Sequence, residues 1–441
     1  MKNNECFKEF IKYTLLNVLG TVGVSCYILA DTLFISRGMG SNGLTALNLA
    51  IPVYSLIYGT GLMLGIGGAT RYAIAKGEGN NEKADSVFTS TIGLSIIFSF
   101  IYMAAGLFFP TEIAKILGAD QDVLEMTGTY LNMLLCFAPA FLLNNIMVSF
   151  IRNDNNPRLA MAATITGSLA NVLLDYIFIF PLNMGIFGAI LATVMSPVIS
   201  IFVSSLHLIK KQNDFHFRLS LFRPFIALSC MSIGTAGFIT ELANGIVVII
   251  FNMLILRLNG NTGVAAYSVI TNTAIVATAI LSGISQGIQP IISRSYGEGN
   301  YKNIMLTLKY GLIATIILSI AFYSAALLFA VPIASLFNGE NNAELQKTAV
   351  NGIRIYFFGL LFAGLNILMS NYFASVKKAF PAMLVSLLKG FILIIPTAMV
   401  LSETIGIEGV WMSYPCAEAV TALTAAVLFL RFGYLKLKTD K

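Results

Sequence analysis

The chain has 441 residues, of which 57% are hydrophobic and only 11% are charged, whereas an ordinary soluble domain carries about 25% charged residues. This composition excludes a soluble globular protein, and the 37 glycines are typical of membrane helices. The net charge of +6 is spread over many short segments, so a nucleic-acid-binding surface is not expected. The five cysteines are scattered and predict neither a disulfide framework nor a metal motif.

Apolar segments of spanning length follow one another along the whole chain. A membrane-spanning helix needs about 20 mostly apolar residues, and on that criterion we predict twelve spans whose ends are uncertain by several residues. Together they predict an all-α membrane protein. The spans cover roughly residues 11–35, 44–72, 84–109, 123–150, 159–180, 186–209, 224–256, 263–293, 303–330, 346–375, 380–401 and 408–431.

The distribution of basic residues predicts the orientation, because Lys and Arg accumulate on the cytoplasmic side of membrane proteins. With the N-terminus inside, 21 of the 27 basic residues fall on inner segments and five on outer ones. Twelve crossings then return the C-terminus to the cytoplasm. We therefore expect a multi-pass protein of the cell inner (plasma) membrane, surrounded by lipid, with both termini cytoplasmic. We expect it to be a monomer.

The sequence repeats itself at an offset of about 220 residues. The letters GEGN at 77–80 recur at 297–300, and Gly40 corresponds to Gly260. This repeat predicts two pseudo-symmetric six-helix bundles with a central cavity between them. We place the bundles at residues 1–209 and 224–441.

The bundles are joined by a predicted cytoplasmic linker at 210–223, which is rich in basic and aromatic residues. We expect the linker to lie on the membrane surface through its three phenylalanines, Phe215, Phe217 and Phe222. His207 and His216 fall at or beyond a helix end, which predicts solvated side chains for both.

Two carboxylates lie inside predicted spans. An acid in a bilayer costs at least ~2.5–3.5 kcal/mol, so it is expected to face the bundle interior or a wet cavity and to have a partner there. At a rise of about 1.5 Å per residue, Asp31 and Asp175 both lie roughly 9 Å below the outer surface. Asn171 lies one turn deeper on the helix of Asp175, and Thr193 is about 10 Å deep in the sixth span.

These four oxygen-bearing side chains suit a hard cation such as Na⁺, or a proton shared by the two carboxyl groups. We therefore predict a cation-binding and coupling site at Asp31, Asn171, Asp175 and Thr193. The alternative is a hydrogen-bonded cluster between helices with a purely structural use.

Further polar and aromatic side chains in the spans are candidates for a substrate cavity. Glu241 has no basic neighbour in sequence, which favours a cavity-facing role. Together with Gln286, Tyr27 and Met63 it could hold bulky amphipathic cations through apolar contact and cation–π attraction. Helix packing is the alternative for each of these residues. Lys389 and Glu418 could either neutralise each other as a structural ion pair or contact substrate directly.

No constellation of catalytic residues emerges, and the chain has no phosphate-binding loop of the ATPase type. We therefore expect neither an enzyme nor direct use of ATP. No cofactor is predicted apart from a coupling ion, H⁺ and/or Na⁺.

Three stretches resemble one family. The letters GISQGIQP at 283–290, followed by Tyr296 and Gly297, are similar to the helix 8 pattern of bacterial MATE (multidrug and toxic compound extrusion) transporters. The letters DTLFI at 31–35 resemble the family's helix 1 stretch, and NVLLD at 171–175 resembles its helix 5 Asn-x-x-x-Asp pattern. Thr193 falls at the matching helix 6 position.

The resemblance implies a secondary active multidrug exporter that antiports organic cations against H⁺ or Na⁺ by alternating access. It also implies that Asp31, Asn171, Asp175 and Thr193 form the cation site of the N-terminal lobe, and that Glu241 matches an acid used in some members. One alternative is a flippase for a lipid-linked precursor of the same superfamily, whose phosphates would call for a basic cavity. A second alternative is a membrane scaffold or sensor that transports nothing.

Overall fold

The computed structural model describes residues 3–338 and 342–434, and within these residues the chain is helical without any strand. Eight helices precede the linker: α1 Asn4–Gly40, α2 Asn42–Gly77, α3 Asn81–Phe108, α4 Pro110–Ile116, α5 Leu124–Cys136, α6 Ala138–Asn153, α7 Pro157–Ile179 and α8 Gly185–Ile209. A continuous helical stretch, Pro224–Gly297, follows the linker and breaks at Gly260 into α9 (224–259) and α10 (261–297). The last four helices are α11 Tyr301–Phe337, α12 Ala343–Ser375, α13 Ala379–Ile405 and α14 Ile407–Phe432.

The predicted twelve crossings are confirmed for the described part of the chain. Ten helices are long and apolar enough to span a membrane, or eleven if the bent pair α5 and α6 counts as one crossing. One of the ten is the stretch Pro224–Gly297, whose 74 residues supply two crossings because Gly260 interrupts the helix. The short helix α4, with seven residues, is too short to span.

The internal repeat is visible in the backbone itself. Gly40 and Gly260 adopt nearly the same conformation, with φ/ψ of 64/−150° and 59/−154°. Only glycine enters this region without steric cost, so the two residues end their helices in the same way. The side chains of Asn80 and Asn300 then cap the following helices, accepting hydrogen bonds from backbone N–H groups three residues on at 2.9 and 3.1 Å.

The chain forms two compact units, each with its own apolar core. The first consists of Leu19–Leu242 together with Ser293–Gly299, and the second of Met1–Val18, Ala243–Ile292 and Asn300–Lys441. The core of the first unit is built from α2 to α8 around side chains such as Leu64 and Phe150, and that of the second around Trp411 and Phe251. The boundaries at residues 209 and 223 stay a prediction.

We predicted that the linker lies on the membrane surface through all three phenylalanines, and this prediction is wrong. Phe215 is fully buried and its ring packs against those of Tyr72, Phe88 and Phe150. The ring of Phe222 fills the space beside Gly93 of α3. Of the three, Phe217 is the exposed one.

The linker is also bound to α3 by hydrogen bonds that the pattern of apolar residues does not predict. Asp85 Oδ1 accepts from the backbone N–H of His216 at 2.8 Å, and Thr89 Oγ1 accepts from that of Arg218 at 3.0 Å. These side chains point along one face of α3, so the linker runs against the helix. His216 is solvated as predicted, but the prediction for His207 is wrong, because its side chain is only 1% exposed.

Candidate functional site

The predicted cation cluster lies within the first compact unit, on three helices. Asp31 sits on α1, Asn171 and Asp175 sit one turn apart on α7, and Thr193 sits on α8. The helices α7 and α8 pack closely along their length, since Gly167 offers no Cβ to the backbone of Ser196. All four side chains are buried, as expected for polar groups that face a helix bundle rather than lipid.

The carboxyl groups of Asp31 and Asp175 lie close enough to interact directly with each other. Nevertheless Asp31 Oδ1 and both carboxyl oxygens of Asp175 are buried without any donor from the protein. Two carboxylates at this distance repel each other unless a proton or a cation is held between them. The pair therefore needs a positively charged partner that the protein itself does not provide.

Asn171 also lacks hydrogen-bond partners from the protein. Its side chain is completely buried, and neither its amide nitrogen nor its amide oxygen has a protein partner. A buried polar group without a partner costs about 1–3 kcal/mol. Because Asn171 lies one turn from Asp175 on the same face of α7, its amide oxygen is a further ligand for whatever the two carboxyl groups hold.

Thr193 connects the cluster to a residue that the sequence did not single out. Thr193 Oγ1 donates its proton to the carbonyl of Ala189 at 3.1 Å. The Tyr130 hydroxyl lies close enough to Thr193 to interact with its side chain. Tyr130 is buried, and it lies close enough to both aspartates to interact with them electrostatically. A lone tyrosine in an apolar run carries no sequence signal that distinguishes it from ordinary packing.

Two of the predicted substrate residues lie near this cluster. The Tyr27 and Tyr54 hydroxyls are 3.1 Å apart, and the ring of Tyr54 stacks on that of Tyr58 at 5.6 Å. Glu241 is close enough to act electrostatically on all three tyrosines, and Tyr27 also feels Asp31 and Asp175. Acidic groups beside aromatic faces are a combination that attracts organic cations.

The other two predicted substrate residues are placed differently. Met63 is buried where α2 crosses α9, and its carbonyl lies directly against Gly234. Met63 therefore packs between these two helices. Gln286 is half-buried on α10 and belongs to the second compact unit.

The second unit contains its own buried charge. The Asn366 amide donates to Glu418 Oε2 at 2.6 Å and to the Glu418 carbonyl at 2.8 Å. Lys389, on a π-helical turn of α13, lies close enough to interact with the Glu418 carboxylate. The interpretation of Lys389 and Glu418 as a structural ion pair stays a prediction. Within the described residues, no group of three or more His, Cys, Asp or Glu side chains could hold a metal ion.

Similarity to known proteins shows to which family this chain belongs. The MatE family model matches residues 18–177 and 238–400 of this chain, which is well over half of its length. The chain belongs to the MatE family. Curated MatE-type relatives include the multidrug export protein MepA of Staphylococcus saprophyticus, which is 24% identical and aligns over 100% of this chain and 97% of its own length. MepA of Staphylococcus aureus is also 24% identical, over 96% of this chain and 93% of its own.

Solved MATE structures share the fold. A crystal structure of MATE in complex with MaL6 superimposes with a TM-score of 0.90 at 22% identity, covering 98% of this chain and 96% of that one. An outward-facing conformation of a multidrug resistance MATE family transporter of the MOP superfamily also gives 0.90 at 22% identity, covering 100% and 98%. The predicted family and the twelve-helix membrane fold are therefore confirmed. This MatE chain is a multi-pass protein of the plasma membrane.

Proposed function

We propose that this MatE protein exports amphipathic organic cations from the cell in exchange for H⁺ or Na⁺. The coupling ion binds at Asp31 and Asp175, with Asn171 and Thr193 as further oxygen ligands. The observation that carries the proposal is the buried pair of carboxyl groups, three of whose four oxygens have no donor from the protein. The names of the staphylococcal relatives, which are multidrug export proteins, support the choice of substrate class.

Exchange follows from competition for one negative charge. When a proton or Na⁺ binds the aspartate pair and offsets one of its two negative charges, the attraction for an organic cation held near Tyr27 and Glu241 falls, and the drug is released outside. When the ion leaves toward the cytoplasm, the repulsion between the carboxylates returns and a cation is bound again. The two ligands drive alternating access only through their different affinities for the two states. In this scheme both termini lie in the cytoplasm, as the distribution of basic residues predicts.

The charge of the cluster favours this function over the flippase. A pyrophosphate-linked substrate needs Arg or Lys around it. The cluster of this unit instead combines Asp31, Asp175 and the nearby Glu241. The same charges that would repel a pyrophosphate attract an organic cation.

The test is a flux assay with purified protein in proteoliposomes. Ethidium uptake into these proteoliposomes is measured while a pH gradient and a Na⁺ gradient are imposed separately. The gradient that drives uptake identifies the coupling ion. Uptake that responds to neither gradient would contradict antiport, and binding of a lipid-linked pyrophosphate would favour the flippase.

Variants connect the flux to the cluster. We expect Asp31→Asn and Asp175→Asn to lose nearly all gradient-driven flux, because an amide neither releases a proton nor holds the charge. Asp122→Asn makes the same chemical change at an exposed loop position and should transport as the wild type does. Full coupled flux in Asp31→Asn at normal reconstitution would overturn the role given to the pair.

A further inference from the structure

A second polar site lies in the first compact unit, where α2 ends and α3 begins. The end of α2, the start of α3, the linker and the start of α9 border a groove of about 410 Å³. Three basic side chains line it, Arg71, Lys83 and Arg223. The polar groups of Asn80 and Ser86 also face it, and Glu82 is its one acidic residue.

The charges of the groove do not cancel. Lys83 forms an ion pair with Glu78 at 2.6 Å. Arg71 donates a hydrogen bond to Ser229 Oγ. Within the described residues neither Arg71 nor Arg223 is paired with a carboxylate. Two guanidinium groups therefore face one groove, and each has N–H donors that no carboxylate accepts. The paired N–H donors of a guanidinium match the oxygens of a phosphate group.

The groove is held in place by the hydrogen bonds of the linker. Ser90 Oγ accepts from the backbone N–H of Arg223 at 3.0 Å, and Ser86 Oγ donates to the carbonyl of Leu221 at 2.7 Å. Both serines are buried on α3. The backbone of Arg223 is thus fixed opposite Arg71 by side chains of a membrane helix.

The depth of the groove suits a lipid headgroup. Arg71 lies six residues before Gly77, the last residue of α2, and hence about 9 Å in from the helix end. This end carries the basic segments that the positive-inside rule assigns to the cytoplasm. Just beyond Arg223, Phe225 and Leu228 of α9 are 80% and 61% exposed, which is typical of side chains that face acyl chains.

We propose that this groove binds the phosphate of an anionic phospholipid of the cytoplasmic leaflet. Arg71 and Arg223 contact the phosphate oxygens, Lys83 adds long-range attraction, and Asn80 and Ser86 bind the polar remainder of the headgroup. The apolar residues Leu221 and Ile226 of the groove wall pack against the glycerol backbone and the first methylenes. A basic pocket between membrane helices at this depth is the usual setting for anionic headgroups.

The test is lipid binding by native mass spectrometry of the full chain in detergent. Dioleoylphosphatidylglycerol, dioleoylphosphatidylcholine and inorganic phosphate are titrated separately, and the population of each bound state gives a dissociation constant. We expect phosphatidylglycerol to bind at least roughly tenfold more tightly than phosphatidylcholine, since each basic residue near the surface adds about a fivefold factor. Arg71→Gln combined with Arg223→Gln should abolish that preference, whereas Arg71→Lys with Arg223→Lys should retain most of it.

The matched control removes two basic residues outside the groove, Arg158→Gln with Lys210→Gln, both of which are exposed. This variant should bind phosphatidylglycerol as the wild type does. Equal binding of the two lipids, or equal losses in groove and control variants, would overturn the proposal. Displacement of the lipid by millimolar inorganic phosphate would assign the groove to a free anion instead. Should the double glutamine variant not remain monodisperse, Arg223→Gln alone gives the same comparison with a several-fold loss.

Discussion

His207 Nε2 lies 2.8 Å from Asp154 Oδ2, and these two side chains are only 1% and 3% exposed. The same Asp154 oxygen accepts the backbone N–H of Asp214 at 2.9 Å, and its other oxygen accepts the Tyr72 hydroxyl. Asn156 Nδ2 donates to His207 Nδ1 at 3.3 Å, which leaves Nε2 as the nitrogen that donates to Asp154. One buried carboxylate thus joins α2, α8 and the linker.

We expect His207→Ala to destabilise the protein by roughly 1–3 kcal/mol, because Asp154 then loses one of its three donors in a buried site. The measurement is the melting temperature of the detergent-solubilised protein, followed by size-exclusion chromatography after heating. His216→Ala is the control, since that side chain is more than half exposed and its backbone N–H still reaches Asp85. Equal melting temperatures for the two variants would show that the buried pair contributes nothing to stability.

Asn171 offers a way to separate function from packing. Replacing a buried amide that has no partner by an apolar side chain of similar volume is nearly neutral or stabilising. Asn171→Leu should therefore melt at the wild-type temperature or above, and yet lose at least roughly tenfold in coupled flux because the ion loses an oxygen ligand. A variant that melts lower and transports normally would instead favour the structural interpretation of this residue.

The crossing of α2 and α9 depends on two glycines within the first unit. A Cβ on Gly67 would overlap the Cys230 carbonyl, and a Cβ on Gly234 would overlap the Met63 carbonyl. Either substitution by alanine should cost about 1–3 kcal/mol, because two backbones must move apart. The measurement is again thermal stability. Gly237→Ala is the matched control on α9, since its Cβ would meet its nearest neighbour, Ile66, at an ordinary 3.5 Å.

Glu418 and Lys389 allow a double-mutant cycle in the second unit. Removing one member of a buried ion pair costs roughly 3–5 kcal/mol, because the remaining charge is left uncompensated. We expect Lys389→Met and Glu418→Gln each to lower thermal stability strongly, and the double variant to cost about 1–3 kcal/mol less than their sum. Strict additivity would mean that the two charges do not stabilise each other. Coupled flux that persists in a folded double variant would exclude a direct role in transport.

The sequence determined the membrane architecture because hydrocarbon imposes strong rules on a chain. Every backbone group must be paired inside it, so long apolar runs must be helices, and their number can be read from the sequence while their ends follow only to within several residues. The repeat at an offset of 220 could also be recognised from the sequence. Its two copies fold alike, so Gly40 and Gly260 share one backbone conformation. The choice of Asp31 and Asp175 as a pair followed from the high cost of an acid in a bilayer.

Only the tertiary structure decided which side chains meet. Tyr130 reaches Thr193 from a helix that carries no polar pattern, and His207 is buried although it lies at the end of α8. The linker was predicted from its composition to lie on the membrane, but Asp85 and Thr89 hold its backbone against α3. Composition and periodicity report the solvent that a segment prefers. They do not report hydrogen bonds between residues that are distant in the sequence, because those depend on how the helices pack.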